Sequence, residues 1–230
     1  MNIPKVIHYV WMGKSDKPIS VIKCIDSWKK KLPDYEIIEW NEKNFNVDEN
    51  TYCKEAYENK KWAFVSDYVR LAVLLKYGGI YLDTDVIVKK NFDDLLSLDL
   101  FLGKMYKTVI GTAVIGSKKD NQDIRCLLDN YNNGLYDCEI ANNYHFTKYF
   151  QDKYTFDVKK GKIEFDNSVI LDRFSFENPS FFYSNGYSVH LFDGSWIAKT
   201  EKPLAYKCLT RLFRKVGLFF YLERFIRTNR

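Results

Sequence analysis

Asp83 and Asp85 stand two apart at the end of an apolar run, Ile80-Tyr81-Leu82. In an extended strand the side-chain period is two, so both carboxylates project from one face while Leu82 and Val86 project from the other. Two neighbouring carboxylates beside a core repel each other and lose solvation unless a cation or hydrogen-bond donors compensate. A divalent metal with oxygen ligands is the simplest compensation, and such an ion keeps positions for waters or substrate phosphates. Taken alone, the pair reads more simply as a polar strand end entering a solvated turn.

Asp67 and Arg70 change that reading. They are three apart on a strongly apolar helical stretch and so share a face. As a surface ion pair they would contribute little stability. As functional groups, Asp67 would accept hydrogen bonds from sugar hydroxyls, and Arg70 would face a diphosphate or the sugar. The Gly78-Gly79 turn folds the following strand back on this helix, which brings the two charges toward the aspartate pair.

The elements that must position these residues follow from periodicity. Residues 5–11 are β-branched and aromatic and stop at Gly13, the pattern of a buried strand followed by a loop. Pro18 opens a helix with Ile22, Ile25 and Trp28 on one face, ending before Pro33. Residues 35–40 form a second strand, and a short helix lies near 51–59. Residues 62–77 are the clearest helix, with Phe64, Tyr68, Leu71, Leu74 and Leu75 at helical spacing and Gly78-Gly79 as its stop. Residues 80–88 are expected to form one strand, 101–106 and 109–117 two more, and 124–131 a helix ending at Asn132-Asn133-Gly134. Residues 140–200 have weak periodicity. Alternating strands and helices over residues 1–130 predict an α/β fold with a largely parallel central sheet flanked by helices. Ligands on such sheets bind at the carboxyl ends of the strands, where Trp11 and Asp83–Asp85 both fall.

The 230 residues are 46% hydrophobic and 28% charged, a globular balance. The net charge of +5 is uneven. From Lys199 onward nine basic residues face two acidic ones, a balance of +7 that leaves −2 on residues 1–198. A nearly neutral body argues against a nucleic-acid partner. Within 204–226, Leu209, Leu212, Phe213, Val216, Phe219 and Phe220 make one helical stripe, with Lys207, Arg211, Arg214 and Lys215 elsewhere. This basic amphipathic helix suits an anionic membrane surface or, alternatively, a helix docked on the domain with its charges solvated. The five cysteines are odd in number and lack Cys-x-x-Cys spacing, which argues against a disulfide framework or structural zinc and fits a reducing compartment. The N-terminal apolar run is too short for a signal peptide and no stretch reaches spanning length. The expectation is a cytoplasmic protein, peripheral at the inner face of the membrane if the tail binds lipid, with a catalytic domain at 1–198 and a helical tail at 199–230.

Trp62-Ala-Phe-Val-Ser-Asp-Tyr-Val-Arg-Leu71 and Lys76-Tyr-Gly-Gly-Ile-Tyr-Leu-Asp-Thr-Asp85 together resemble the sugar-binding region with Asp-x-Asp motif of glycosyltransferase family 32. Ile3-Pro-Lys-Val-Ile-His-Tyr-Val-Trp11 and Ser27-Trp28 with Leu32-Pro33-Asp34-Tyr35 resemble its N-terminal pattern. Val114-Ile-Gly-Ser117 is similar to a later strand, and His190 with Gly194-Ser195-Trp196 to its closing segment. The resemblance spans residues 3–198 and is densest in the first half. It implies a GT-A type fold, a nucleotide-diphosphate sugar donor with a UDP-sugar favoured, a glycan or lipid-linked glycan acceptor, Mn²⁺ or Mg²⁺, retention of anomeric configuration, and a role in cell-surface polysaccharide synthesis. It places Trp11 near the base, Asp67 and Arg70 near the donor sugar, Asp83 near ribose or sugar, and Asp85 on the metal. His190 or Ser195 would complete the metal shell, with Asp193 a competitor, and Trp196 would cover the diphosphate.

Two other readings compete. Asp83-Thr84-Asp85-Val86 after an apolar strand resembles the nucleophile motif of haloacid-dehalogenase-like phosphohydrolases, although that motif normally opens the fold. A non-catalytic nucleotide-sugar binding module is the other, and the intact aspartate pair argues against it.

Overall fold

The computed structural model describes residues 2–136, 140–157, 159–177 and 186–192. The β-branched N-terminal run forms β1 (Val6–Val10), and Pro18 precedes α1 (Ile19–Lys31), as its fixed backbone favours at a helix start. Then come β2 (Glu36–Trp40), α2 (Thr51–Glu58) and α3 (Trp62–Tyr77). Asn50 caps α2 by accepting from the Cys53 amide at 3.1 Å. Gly78 ends α3 at φ 67°, a left-handed region that disfavours other residues, and its amide bonds Leu74 O. A Cβ there would lie 2.6 Å from the Lys119 amide nitrogen.

The chain continues through β3 (Gly79–Leu82), β4 (Val86–Val88), β5 (Leu100–Tyr106), β6 (Val109–Ser117) and α4 (Gln122–Asn132). The segment with weak periodicity contains α5 (Asn142–Tyr154), β7 (Ile163–Phe165), β8 (Ser168–Leu171) and β9 (Ser188–His190). The main sheet has the order β2-β1-β3-β6-β5-β8-β7. Five of its seven strands share one direction, with β6 and β7 reversed. β4 and β9 form a separate antiparallel pair.

Apolar residues fill both faces of the main sheet. On one side Val65, Val69, Leu71 and Leu74 of α3 pack with Tyr81, Ile115, Phe146 and Phe150. On the other, Trp28 packs with Ile7, Ile80, Leu82, Phe92 and Phe101. The period of two is visible in β3, where Tyr81 faces the first cluster while Ile80 and Leu82 face the second.

Three local expectations are corrected. The single strand expected over 80–88 is two strands in different sheets, because a turn at residues 83–85 interrupts it. The buried face of α1 carries Val21, Cys24, Ile25 and Trp28, whereas Ile22 is 45% exposed. The α3 stripe is likewise rotated, with Val65, Val69 and Val73 buried and Phe64 and Leu75 only partly so. The tail, Asp193, Ser195 and Trp196 lie outside the described residues.

Candidate active site

β1 and β3 are parallel neighbours, so their carboxyl ends open on one edge of the sheet. Trp11 follows β1 there. Its amide bonds Trp40 O at 2.9 Å, and its indole N–H donates to Ser15 O at 2.7 Å. Lys17 lies 5.7 Å from the centre of its ring.

Asp83 follows β3. Its amide still bonds Ala113 O on β6 at 2.9 Å, but its carbonyl accepts from Val86 at 3.1 Å and closes a turn. Asp83 and Asp85 therefore sit in a turn rather than on one strand face, and strand alternation is not what brings them together. The second sheet adds the third member. β9 pairs with β4 so that His190 stands opposite Val86, and the Leu191 amide donates to Asp85 O at 2.9 Å. Asp83, Asp85 and His190 each present a ligand atom within 4.8 Å of the others. His190 Nε2 is 3.1 Å from Asp85 Oδ1, and its Nδ1 is 2.6 Å from Glu177 Oε2. Burial alone would lower the imidazole pKa, but the charges of Asp85 and Glu177 raise it well above its ordinary value. Two carboxylates and an imidazole facing each other are a fitting donor set for a hard divalent cation such as Mn²⁺.

Asp67 and Arg70 join this centre from α3. Arg70 Nη2 lies 2.9 Å from Asp67 Oδ1 and 3.3 Å from Asp83 Oδ1. The same nitrogen donates to Ser66 Oγ at 3.0 Å, while Nη1 donates to Thr112 O at 2.7 Å and Nε to Ser66 O at 3.0 Å. Its guanidinium lies over the Tyr81 ring, 4.5 Å from the centroid. The surface ion pair considered from sequence is thus a buried one, because α3 packs on the sheet with this face inward. Burial pushes the Asp67 pKa up to about 7, Arg70 pulling the other way and Asp83 adding to the rise. Arg70 loses to burial but gains more from Asp83, Tyr81 and Asp67, so its charge is secure. A buried carboxylate so perturbed, beside a cation, is a common feature of functional sites.

Sequence reasoning did not single out three supporting residues. Asn142 donates to Asp67 Oδ1 at 2.7 Å, its own carbonyl accepting from Thr112 Oγ1 at 2.9 Å. Tyr81 donates to Asp83 Oδ1 at 2.8 Å. Glu177 holds His190 as above. Tyr81 sits inside the motif, two residues before Asp83. Asn142 and Glu177 come from the segment of weak periodicity and carry no spacing signal.

Residues 18–102 match the glycosyltransferase sugar-binding region containing a DXD motif. Asp83-Thr84-Asp85 lies within that match. The chain is 30% identical over 151 residues to inositol phosphoceramide mannosyltransferase 3 of Schizosaccharomyces pombe, covering 63% of this chain and 40% of that protein. It is 27% identical over 210 residues to an uncharacterized glycosyltransferase of Acanthamoeba polyphaga mimivirus, covering 86% and 82%. It spans less than half the length of several curated relatives it matches. Among solved structures, the PaToxG glycosyltransferase superposes with a TM-score of 0.55 at 22% identity, over 67% of this chain and 70% of that one. The fold is the α/β GT-A type, which removes the phosphohydrolase alternative at the level of fold. The matched region and the two named relatives are all described as glycosyltransferase sequences. Among the described residues, no helix is long and apolar enough to cross a membrane.

Proposed function

We propose that this protein is a metal-dependent, retaining glycosyltransferase that moves a sugar from a nucleotide-diphosphate donor to a hydroxyl of a glycan acceptor. The observation that carries the reading is the joining of two groups of residues at one sheet edge: Asp83, Asp85 and His190 within 4.8 Å of one another, and the Asp67–Arg70 pair reaching Asp83. Asp83, Asp85 and His190 would hold Mn²⁺ or Mg²⁺, with Ser195 as a further candidate ligand. The bound ion would supply Lewis-acid stabilisation of charge growing on the leaving diphosphate. Asp67 accepts from donor-sugar hydroxyls, and Arg70 orients Asp67 and Asp83 while adding positive potential beside the diphosphate. Trp11 would lie near the base and Trp196 would cover the diphosphate, the roles that the family resemblance implies.

The described carboxylates of the site are all engaged. Asp67 is held by Arg70 and Asn142, Asp83 by Arg70 and Tyr81, and Asp85 and Glu177 by His190. A front-face path fits this arrangement, with the leaving phosphate taking the acceptor proton and no carboxylate nucleophile required. The inositol phosphoceramide mannosyltransferase likeness supports an acceptor carried on a lipid. A catalytic domain over residues 1–198 with a basic helical tail over 199–230 that meets the inner membrane face, and work on cell-surface polysaccharide, follow the same line.

The test is a screen of nucleotide sugars, UDP-sugars first, for hydrolysis and transfer with and without Mn²⁺. Asp85→Ala should abolish Mn²⁺-dependent turnover while the circular dichroism spectrum stays unchanged. Turnover that is indifferent to both the ion and the substitution would sink the metal assignment.

A further inference from the structure

We infer that Glu177 is the positioning residue of this centre: it holds His190 so that Nε2 is presented to the cation beside Asp85. The inference rests on the metal reading above and goes beyond it in naming a residue outside the ligand set. Glu177 is 1% exposed and sits 13 residues before His190, at the end of the described stretch 159–177. A buried carboxylate is costly unless hydrogen bonds and an opposite charge repay it. Among the described residues, its ion-pair partner is His190, with Oε2 2.6 Å from Nδ1. A carboxylate on Nδ1 keeps that nitrogen the donor, so a cation entering beside Asp85 displaces the Nε2 proton and finds Nε2 already aimed at it.

Three independent features show that this contact is built rather than incidental. The main chain straps the two residues together, His190 N donating to Glu177 O at 3.1 Å and Ser188 Oγ to Phe176 O at 2.9 Å. Phe176 anchors the strap in an aromatic cluster with Phe92 and Phe101. Finally, β5 and β6 leave space under the strap by means of glycines. A Cβ at Gly103 would lie 2.5 Å from the Phe176 ring, and one at Gly111 would lie 2.1 Å from Glu177 Oε1. The sheet is thus hollowed where the carboxylate rests, so any side chain at Gly111 must push it off its line to His190.

Removal of such an orienting partner typically costs about 10–100-fold in metal affinity. The experiment titrates Mn²⁺ alone into the full-length protein and reads free Mn²⁺ by electron paramagnetic resonance, with circular dichroism as the fold control. Wild type should bind. E177A should weaken binding by about 10–100-fold, E177Q by less because an amide oxygen still accepts from Nδ1, and G111A should weaken it although Glu177 is present. In an H190A background, E177A should add no further loss, since Glu177 acts through the imidazole; a purely structural carboxylate would give additive losses. If E177A does not fold, E177Q and G111A carry the measurement. Unchanged Mn²⁺ affinity in the Glu177 and Gly111 variants, with affinity lost in D85A and H190A, overturns the inference and leaves the metal reading standing. A wild-type protein that takes up no Mn²⁺ removes both.

Discussion

Asp67 and Arg70 form an ion pair at 2.9 Å in which the two side chains are only 11% and 4% exposed. A buried pair obeys different arithmetic from a surface one: deleting one partner strands the other charge in a poorly solvating interior, at about 3–5 kcal/mol. Arg70→Ala would strand Asp67 and Asp83 and also remove the guanidinium donor from Thr112 O. Urea denaturation should show a loss of roughly that size. Arg70→Lys keeps the charge but cannot reproduce a planar fork bonded to four residues, so it should lose about 1–3 kcal/mol. A loss under about 0.5 kcal/mol in both, the level of a surface pair, would contradict the buried geometry.

His8 predicts a stability loss on the acid side. Its ring is buried, with Nε2 2.8 Å from Gly78 O and Nδ1 accepting from the Trp40 indole at 3.1 Å. That is the bonding of a neutral imidazole. Burial lowers its pKa, the Gly78 carbonyl opposing only in part. The unfolded chain therefore binds a proton first, and stability falls as pH drops below about 6.5, by at most about 1.4 kcal/mol per pH unit until the folded pKa is reached. His190 has the opposite sign. Its charged form is favoured in the fold, so its contribution is complete below the unfolded pKa and fades as pH rises through the raised folded value. Comparing wild type with His8→Gln between pH 7 and 5 isolates the first effect. A parallel pH dependence in the two proteins would refute it.

The legible part of this molecule is the part whose signal is local. The helix at residues 62–77 and the strand at residues 6–10 announce themselves because apolar period and glycine stops agree within one segment. The Asp83–Asp85 pair was visible for the same reason, but its geometry was not: the turn that joins the carboxylates depends on β4 leaving the main sheet to pair with β9, more than a hundred residues later. That pairing also places His190 beside Asp85, and no spacing rule encodes it. The approach of Asp67 and Arg70 to the aspartates was legible from their shared helix face, but that face alone left a surface ion pair open. What closes it over is Thr112 O and Asn142, acceptor and donor supplied by β6 and α5.

The basic tail is the last expectation, and it concerns residues outside those described. Residues 199–230 carry +7 on a chain whose remainder carries −2, with Leu209, Phe213, Val216 and Phe220 on one helical stripe. In a bilayer interface those side chains would bury apolar surface, and each nearby Lys or Arg would add about 1 kcal/mol against anionic lipid. These terms suffice for reversible attachment. They would also hold an enzyme at the surface where a lipid-carried acceptor resides. If the catalytic domain covers the stripe instead, the charges alone remain outward and attachment is weak and quickly screened, since the Debye length is about 8 Å at physiological ionic strength. Co-sedimentation separates the two. Full-length protein and a variant truncated after Lys202 are compared on phosphatidylserine-containing and neutral vesicles, at low and high salt. Attachment that needs the tail, needs anionic lipid and weakens with salt is the expected outcome. Full-length protein that stays in the supernatant with anionic vesicles at low salt would assign the helix to the fold.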